Sequence, residues 1–427
     1  MLRVELPMQG GMGSRIAAAA LAALALAAVA AAPANAARGM EIGLQDDSHF
    51  LDEDATVRGA AFRHARSLRA SSLRANVPWA SVVSDPAAKT TPAAVNFDFS
   101  RFDRLVDEAA AHGIRVQLTL TGDAPAWATR DRKISDDHPD PKRFAEFAAA
   151  AASHFNGRVR ALSIWNEPNW HGLLKPERLC GKVSKKVKVS GKRKPVRRRV
   201  RVCVKTSARV YRELYRAGHA AIKRVAPGMP VWIGETNPYV NRRKESTAPL
   251  AWVRQIACAD PVITRCKGGA LRADGYAHHP YSFDRRPGAA RAGGDNVTLA
   301  TLGRLSKQLR KLRGRLRVAG GSLYLTEFAY YSSGPHQKPA RQRAAWTRQA
   351  FELALKTPKV RQLLYYQLVD PAKSFSWRTG LITTRGSRHP AYNALRGFAN
   401  ARRTRLTLPR PPFALPSAPA AVPVRLG

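Results

Sequence analysis

Short apolar runs alternate with longer amphipathic stretches along this chain, and Gly, Pro or Asn separates most of them. Residues 40–44 form a first short strand. Residues 52–70 then set Val57, Ala61, Ala65 and Leu68 at helical spacing behind a first turn rich in Asp and Glu, the charge sign that suits a helix N-terminus. Residues 72–77 predict a second strand that stops at Pro78-Trp79. A helix over 99–112 rests on Phe102, Leu105, Val106 and Ala109 and is stopped by Gly113, a C-cap signal. Residues 114–120 alternate with period two, as a half-buried strand does. A helix over 141–155 leads to the apolar run Ala161-Leu162-Ser163-Ile164-Trp165, which ends at Asn166-Glu167-Pro168. Proline cannot donate to a ladder, so that strand stops at the glutamate.

The alternation continues to the end of the patterned region. Residues 207–225 predict a helix, 231–235 a fifth strand tipped by Glu235, 249–257 a short helix, and 273–279 a sixth strand ending at His278-His279. A helix over 295–313, a seventh strand over 322–328 carrying Glu327, a helix over 339–356, an eighth strand over 360–368 and a helix over 390–400 complete the series. Eight strand–helix alternations are what a parallel (β/α)8 barrel, an α/β fold, requires. An open doubly wound sheet would want a Gly-rich turn after its first strand, and none is present. The barrel is expected over 37–402, longer than the ~250 residues common for the fold, so inserted loops are expected with it.

One insertion follows strand four. Residues 182–205 carry twelve Lys or Arg and no acid, with Val residues interleaved and Ser190-Gly191 as a turn. This pattern predicts a basic β-hairpin; the rival reading is a solvated excursion without consequence. Four cysteines allow three pairings. The two local ones, Cys180–Cys203 and Cys258–Cys266, each close a compact excursion, while metal ligation would want a CxxC or a nearby His pair.

The overall charge, +42 from 72 Lys+Arg and 30 Asp+Glu, favours an acidic partner. Arg is spread through nearly every predicted helix, so the charge is a weak guide to which partner. Residues 1–36 read as an export leader: Arg15 precedes an Ala/Leu run over 16–32, and Ala34-Asn35-Ala36 is a small-x-small cleavage site. The rival is an uncleaved anchor, for which the run is short. A secreted protein, extracellular or wall-associated, is therefore expected. Residues 403–427 are a Pro-rich tail with no core signal.

Two glutamates, Glu167 and Glu327, thus stand at the tips of strands four and seven, nearly opposite each other in an eight-stranded barrel. The C-terminal tips of the strands are where such barrels build catalytic sites. Two opposed carboxyl groups can hydrolyse a glycosidic bond with retention. One protonates the departing oxygen, and the other attacks the anomeric carbon across a gap of about 5–5.5 Å. Glu235 lacks the Asn-before and Pro-after context and is expected to be a structural or hydrogen-bonding residue. No cluster suggests a metal and no Gly-rich phosphate cradle is present, so no cofactor is expected.

Trp165-Asn166-Glu167-Pro168, with Thr326-Glu327-Phe328 after it, resembles the clan A glycoside hydrolases, the cellulase-like and family 39-like barrel enzymes. The resemblance implies that Glu167 is the general acid/base, Glu327 the nucleophile, and Asn166 the amide that bonds the sugar 2-hydroxyl. It implies further that Arg74 stands beside the nucleophile, and that His279 and Tyr281 form a His-x-Tyr pair with the tyrosine hydroxyl on Glu327. Trp377 is the candidate floor for the sugar ring, set on a loop where many relatives carry a strand-eight Trp. The expected protein is a monomeric, secreted, retaining glycosidase with a carbohydrate substrate. An anionic cell-surface polymer is a possible further partner through 182–205, and no specific nucleic acid is expected. The alternative is a non-catalytic barrel that binds carbohydrate or an anionic polymer.

Overall fold

A computed structural model describes residues 39–401 apart from 93, 189, 191–192, 241–245, 290–293 and 372–376. The expected leader over 1–36 and tail over 403–427 lie outside the described residues. Eight parallel strands close into a barrel in sequence order. They are β1 (Glu41–Gln45), β2 (Ser72–Pro78), β3 (Arg115–Thr121), β4 (Ala161–Ile164), β5 (Val231–Thr236), β6 (Gly275–His278), β7 (Leu323–Leu325) and β8 (Val360–Tyr366). Closure comes from β8 pairing back onto β1, from Glu41↔Gln362 to Gln45↔Tyr366. A helix follows each strand: α1 (Ala55–Ser67), α2 (Ser100–Ala111), α3 (Pro141–His154), α4 (Ala208–Val225), α5 (Pro249–Ile256), α6 (Leu302–Lys311), α7 (Ala340–Lys356) and α8 (Pro390–Ala401). Among the described residues no helix is long and apolar enough to cross a membrane.

Strand alternation sorts the side chains into two environments. Leu73, Ala75, Val77, Val116, Leu118, Leu120, Leu162 and Ile164 are buried in the core shared with the helices. Their neighbours in sequence (Arg74, Gln117, Thr119, Ser163) reach across the lumen instead. Gln362 on β8 donates to Gln117 on β3 at 3.2 Å, and Gln117 donates to Glu235 on β5 at 2.7 Å. Branched aliphatic layers are the usual filling of such a lumen. Here it is a hydrogen-bonded polar stack, stable only because its members partner one another. The N-terminal end of the lumen is closed by Glu41 paired with Arg115 and Arg160. There the Arg160 guanidinium also lies over the stacked rings of Trp232 and Tyr324.

Several boundaries differ from expectation, each for a local reason. The helix expected over 295–313 begins only at Leu302. Residues before it are spent on a capped turn at Thr298 and on backbone bonds from Val297 to Pro238 and from Leu299 to Pro280. The sixth strand divides: Leu271–Ala273 pairs with Leu316–Val318 outside the barrel, and only Gly275–His278 joins it. Gly113 does end α2, with φ at 67° and the Ile114 amide bonded back to Ala109. Between β4 and α4, Glu177–Val187 and Val196–Thr206 pair antiparallel over their full lengths, a longer ladder than 182–205. Cys180 is bonded to Cys203 across it, and Cys258 to Cys266 in the segment after α5.

Candidate active site

The end of β4 sets the site. Its ladder stops at Ile164, and Trp165 and Glu167 then take left-handed backbone angles, φ 64° and 41°. Such angles are costly for bulky residues and persist only where the surroundings enforce them. Enforcement is visible on both sides. The Trp165 amide donates to the Leu120 carbonyl at 2.8 Å, that of Asn166 to the Thr121 hydroxyl at 3.0 Å, and that of Glu167 to the Glu235 carbonyl at 2.9 Å. Gly122 leaves room for the Trp165 ring, which a Cβ there would meet at 2.7 Å. The left-handed steps cancel the strict alternation of a strand, so that the side chains of Asn166 and Glu167 both reach the mouth.

Arg74, in the middle of β2 and 2% exposed, ties the mouth together. Its Nη1 donates to Glu327 Oε1 at 2.6 Å and to Gln45 Oε1 at 2.5 Å, its Nη2 to Asn166 Oδ1 at 2.8 Å, and its Nε to Thr119 Oγ1 at 2.9 Å. Glu327 follows β7 by two residues and also accepts from the Tyr281 hydroxyl at 2.9 Å. Glu167 accepts from Asn237 Nδ2 at 2.9 Å and pairs with His279 Nδ1 at 2.8 Å. Oxygens of Glu167 and Glu327 and a nitrogen of His279 lie within 4.8 Å of one another. These three groups could ligate a cation in principle. However, Arg74 and His279 already supply two positive charges to the same carboxylates.

Glu235, expected to be a structural or hydrogen-bonding residue, is the hydrogen-bonded centre of the arrangement. A β-bulge between Gly234 and Thr236 turns it into the lumen, where it is fully buried. It accepts from Gln117 and Ser163, each at 2.7 Å, from the Thr326 hydroxyl, and from His279 Nε2 at 3.0 Å. Burial alone would push its carboxyl up, but the Arg74 charge, the His279 bond and charge, and the Thr326 bond pull it down to about 2. Burial likewise opposes charge on His279, yet Glu327, Glu167 and Glu235 around it raise it to about 9. His279 is therefore an imidazolium at neutral pH, with both ring nitrogens donating. Its neighbour His278 is the opposite case. Burial, with the charge of His279 adding to it, lowers His278 to about 3, and it bonds Thr236 and the Val297 carbonyl as a core residue.

The aromatic candidates separate in the same way. Trp79 and Trp127 are core residues, packed on each other and, through Trp79, on Phe144 and Phe147. Trp377 is half-buried at the mouth, its ring 5.4 Å from those of Tyr281 and Tyr331. Trp170 lies beside His171 in the loop after β4. Asn237 and Gln45 carry bonds at the site that the sequence pattern did not single out. The signal for Asn237 was present, since Asn237-Pro238 ends β5 with the same strand-stopping proline that follows Glu167. Its loop is bonded to that of Glu167 through Asn169, which accepts from the Asn237 amide at 2.8 Å.

No family model matches the chain. A stretch of 103 residues, 22% of this chain, is 35% identical to the thermostable β-glucosidase B of Thermobispora bispora and spans 19% of that protein. A family 39 glycoside hydrolase from Bacteroides cellulosilyticus WH2 shares the fold at TM-score 0.56 and 17% identity, over 85% of this chain and 64% of that one. A GH5_18 protein from Streptomyces cattleya, solved with GlcNAc, matches at TM-score 0.56 and 18% identity, over 87% and 82%. At such identities it is the barrel architecture that is shared. The chain is thus similar in fold to family 39 and family 5 glycoside hydrolases, and it spans about a fifth of the curated β-glucosidase it matches.

Proposed function

We propose that this protein is an exported glycoside hydrolase that cleaves an O-glycosidic bond with retention, by double displacement. The observation that carries the reading is the opposition of Glu167 and Glu327, with oxygens within 4.8 Å and different sets of partners. That spacing suits direct attack rather than an intervening water, for which carboxyl groups stand about 6.5–9.5 Å apart. Glu327, held by Arg74 and the Tyr281 hydroxyl, is the nucleophile. It attacks the anomeric carbon as the bond to the leaving oxygen breaks, and that oxygen takes the proton of Glu167. Water then adds to the glycosyl-Glu327 ester, giving its proton to Glu167 and releasing Glu327.

The neighbours fit these roles. Arg74 occupies Asn166 Oδ1, which leaves the amide Nδ2 as a donor to the sugar 2-hydroxyl, a contact that tightens in the transition state. His279 fixes Glu167 from one side and is itself held by Glu235, so Glu235 acts as a positioning residue rather than a spare acid. Trp377 offers the ring face beside Tyr281 on which a sugar would stack. The name of the curated relative puts β-glucosides first among substrates to test. Export is supported by the leader pattern over 1–36 and by two disulfides, which persist in oxidising compartments.

The test is trapping with a 2-fluoro aryl glycoside. A stable adduct on Glu327 is expected, located by peptide mass spectrometry, together with β-anomer release from a β-substrate. An adduct on Glu235 would overturn the assignment, and release of the inverted anomer would overturn retention.

A further inference from the structure

The two-stranded ribbon between β4 and α4 plays no part in the reaction above, and its register sorts its charges. With Cys180 opposite Cys203, one face carries Arg178, Lys182, Lys186, Arg197, Arg199, Arg201 and Lys205, all exposed and without an acid among them. The other face carries Leu179, Gly181, Val183, Val187, Val196, Val200, Val202 and Val204, all partly buried, with Lys185 and Arg198 near its outer end and Glu177, paired with Arg209, at its inner end. The inner end of this face rests on the barrel. A Cβ on Gly181 would meet the Val262 carbonyl at 2.7 Å, and Thr206 donates to Gln255 at 2.7 Å. Val262 lies within the loop tied by Cys258–Cys266. One disulfide therefore joins the strands of the ribbon, and the other braces the loop on which it rests.

This geometry keeps the cations together. Arg178 faces Lys205, Lys182 faces Arg201 and Lys186 faces Arg197. Like charges directly opposite destabilise a strand pair, and the Cys180–Cys203 bond lies on the same repelling face. From Arg178 to Lys186 the array extends about 27 Å, at ~3.4 Å per residue. The ribbon's inner end is anchored to Gln255 of α5 through Thr206.

We propose that the cationic face of this ribbon is a docking surface for an acidic polysaccharide, and holds the enzyme on a polyanionic matrix. An extended row of exposed Lys and Arg suits a flexible chain bearing repeated carboxylate or sulfate groups. The ribbon contains no aromatic residue from 177 to 206, so it lacks the stacking platform used for single-stranded nucleic acid. The inner end of its apolar face is covered by the Val262 loop, and the ribbon carries no Trp, Phe or Tyr, unlike an element that inserts into a lipid surface. The choice of a sugar polymer rests on the carbohydrate-enzyme reading, whereas the surface itself does not.

The test compares the full chain with two charge-matched variants. One is Lys182→Gln/Lys186→Gln/Arg197→Gln/Arg199→Gln/Arg201→Gln. The other removes five exposed cations elsewhere: Lys307→Gln/Arg310→Gln/Lys311→Gln/Arg313→Gln/Arg317→Gln. Binding to polygalacturonate, to duplex DNA and to phosphatidylserine vesicles is measured from 50 to 300 mM NaCl, and aryl glycoside hydrolysis is followed separately. The ribbon variant should lose about tenfold or more in polygalacturonate affinity, with a shallower salt dependence, while the other variant changes less than about threefold. Unchanged hydrolysis in the ribbon variant shows that it has folded and separates a failed surface from a failed enzyme. Equal losses in both variants, or ribbon-dependent binding to DNA or vesicles but not to polygalacturonate, would overturn the proposal.

Discussion

The barrel mouth and the ribbon are both rich in cations, and they treat them in opposite ways. At the mouth, Arg74 and His279 are buried, and each is bonded to the carboxylates around it. On the ribbon, seven exposed cations share one face with no carboxylate. Burial makes the difference. A charge taken out of water costs several kcal/mol unless it is paired, whereas exposed like charges repel only through a screened, high-dielectric medium. The mouth can therefore use its charges to fix geometry and protonation, and the ribbon leaves its own free for something outside the chain.

Removal of a paired charge at the mouth should have the largest effect. Glu327→Gln should lower kcat for an activated aryl glycoside by about 10⁴-fold or more with the fold retained. A fall of less than tenfold would break the assignment of the nucleophile. Arg74→Met leaves Glu327 and Glu235 buried without their shared cation and should cost about 3–5 kcal/mol in urea unfolding. A cost under about 1 kcal/mol would show that pairing does not hold the mouth together.

Glu235→Gln tests the same pairing through pH. The folded His279, raised to about 9, contributes stability that is complete below its ordinary value and is lost as pH rises through 9. In the variant that loss should begin at lower pH, read as thermal midpoint against pH between 6 and 10; an unmoved profile would discount Glu235 as a positioning residue. The smallest effect belongs to the ribbon. Relief of cross-strand repulsion by the five Gln substitutions should raise Tm slightly, by about 1–2 °C at low salt. A fall of several degrees would mean that the cations serve the fold.

Much of the barrel was legible because its alternation is repeated eight times, and helix stops such as Gly113 have a local cause. Boundaries failed where the deciding bonds came from elsewhere in the chain. The start of α6 is set by carbonyls of Pro238 and Pro280, and the division of the sixth strand by its pairing with Leu316–Val318. Around the site, Glu167 and Glu327 stood out by their place at strand ends, and Arg74, His279 and Tyr281 by the family resemblance; the fold brings all five together. Glu235 was expected to be a structural or hydrogen-bonding residue, but which groups it holds depends on a bulge and on partners on or just after β3, β4, β6 and β7.

The order of strands and helices, the Pro-stopped tip of strand four with Asn166 and Glu167, and the basic run between 182 and 205 were determined by the sequence alone, since each depends on periodicity or on what a proline forbids. The tertiary structure decided which carboxylates share a cation, which histidine is charged, and which face of the ribbon looks outward. Those outcomes depend on distances and solvent access between residues remote along the chain, and no local pattern contains them.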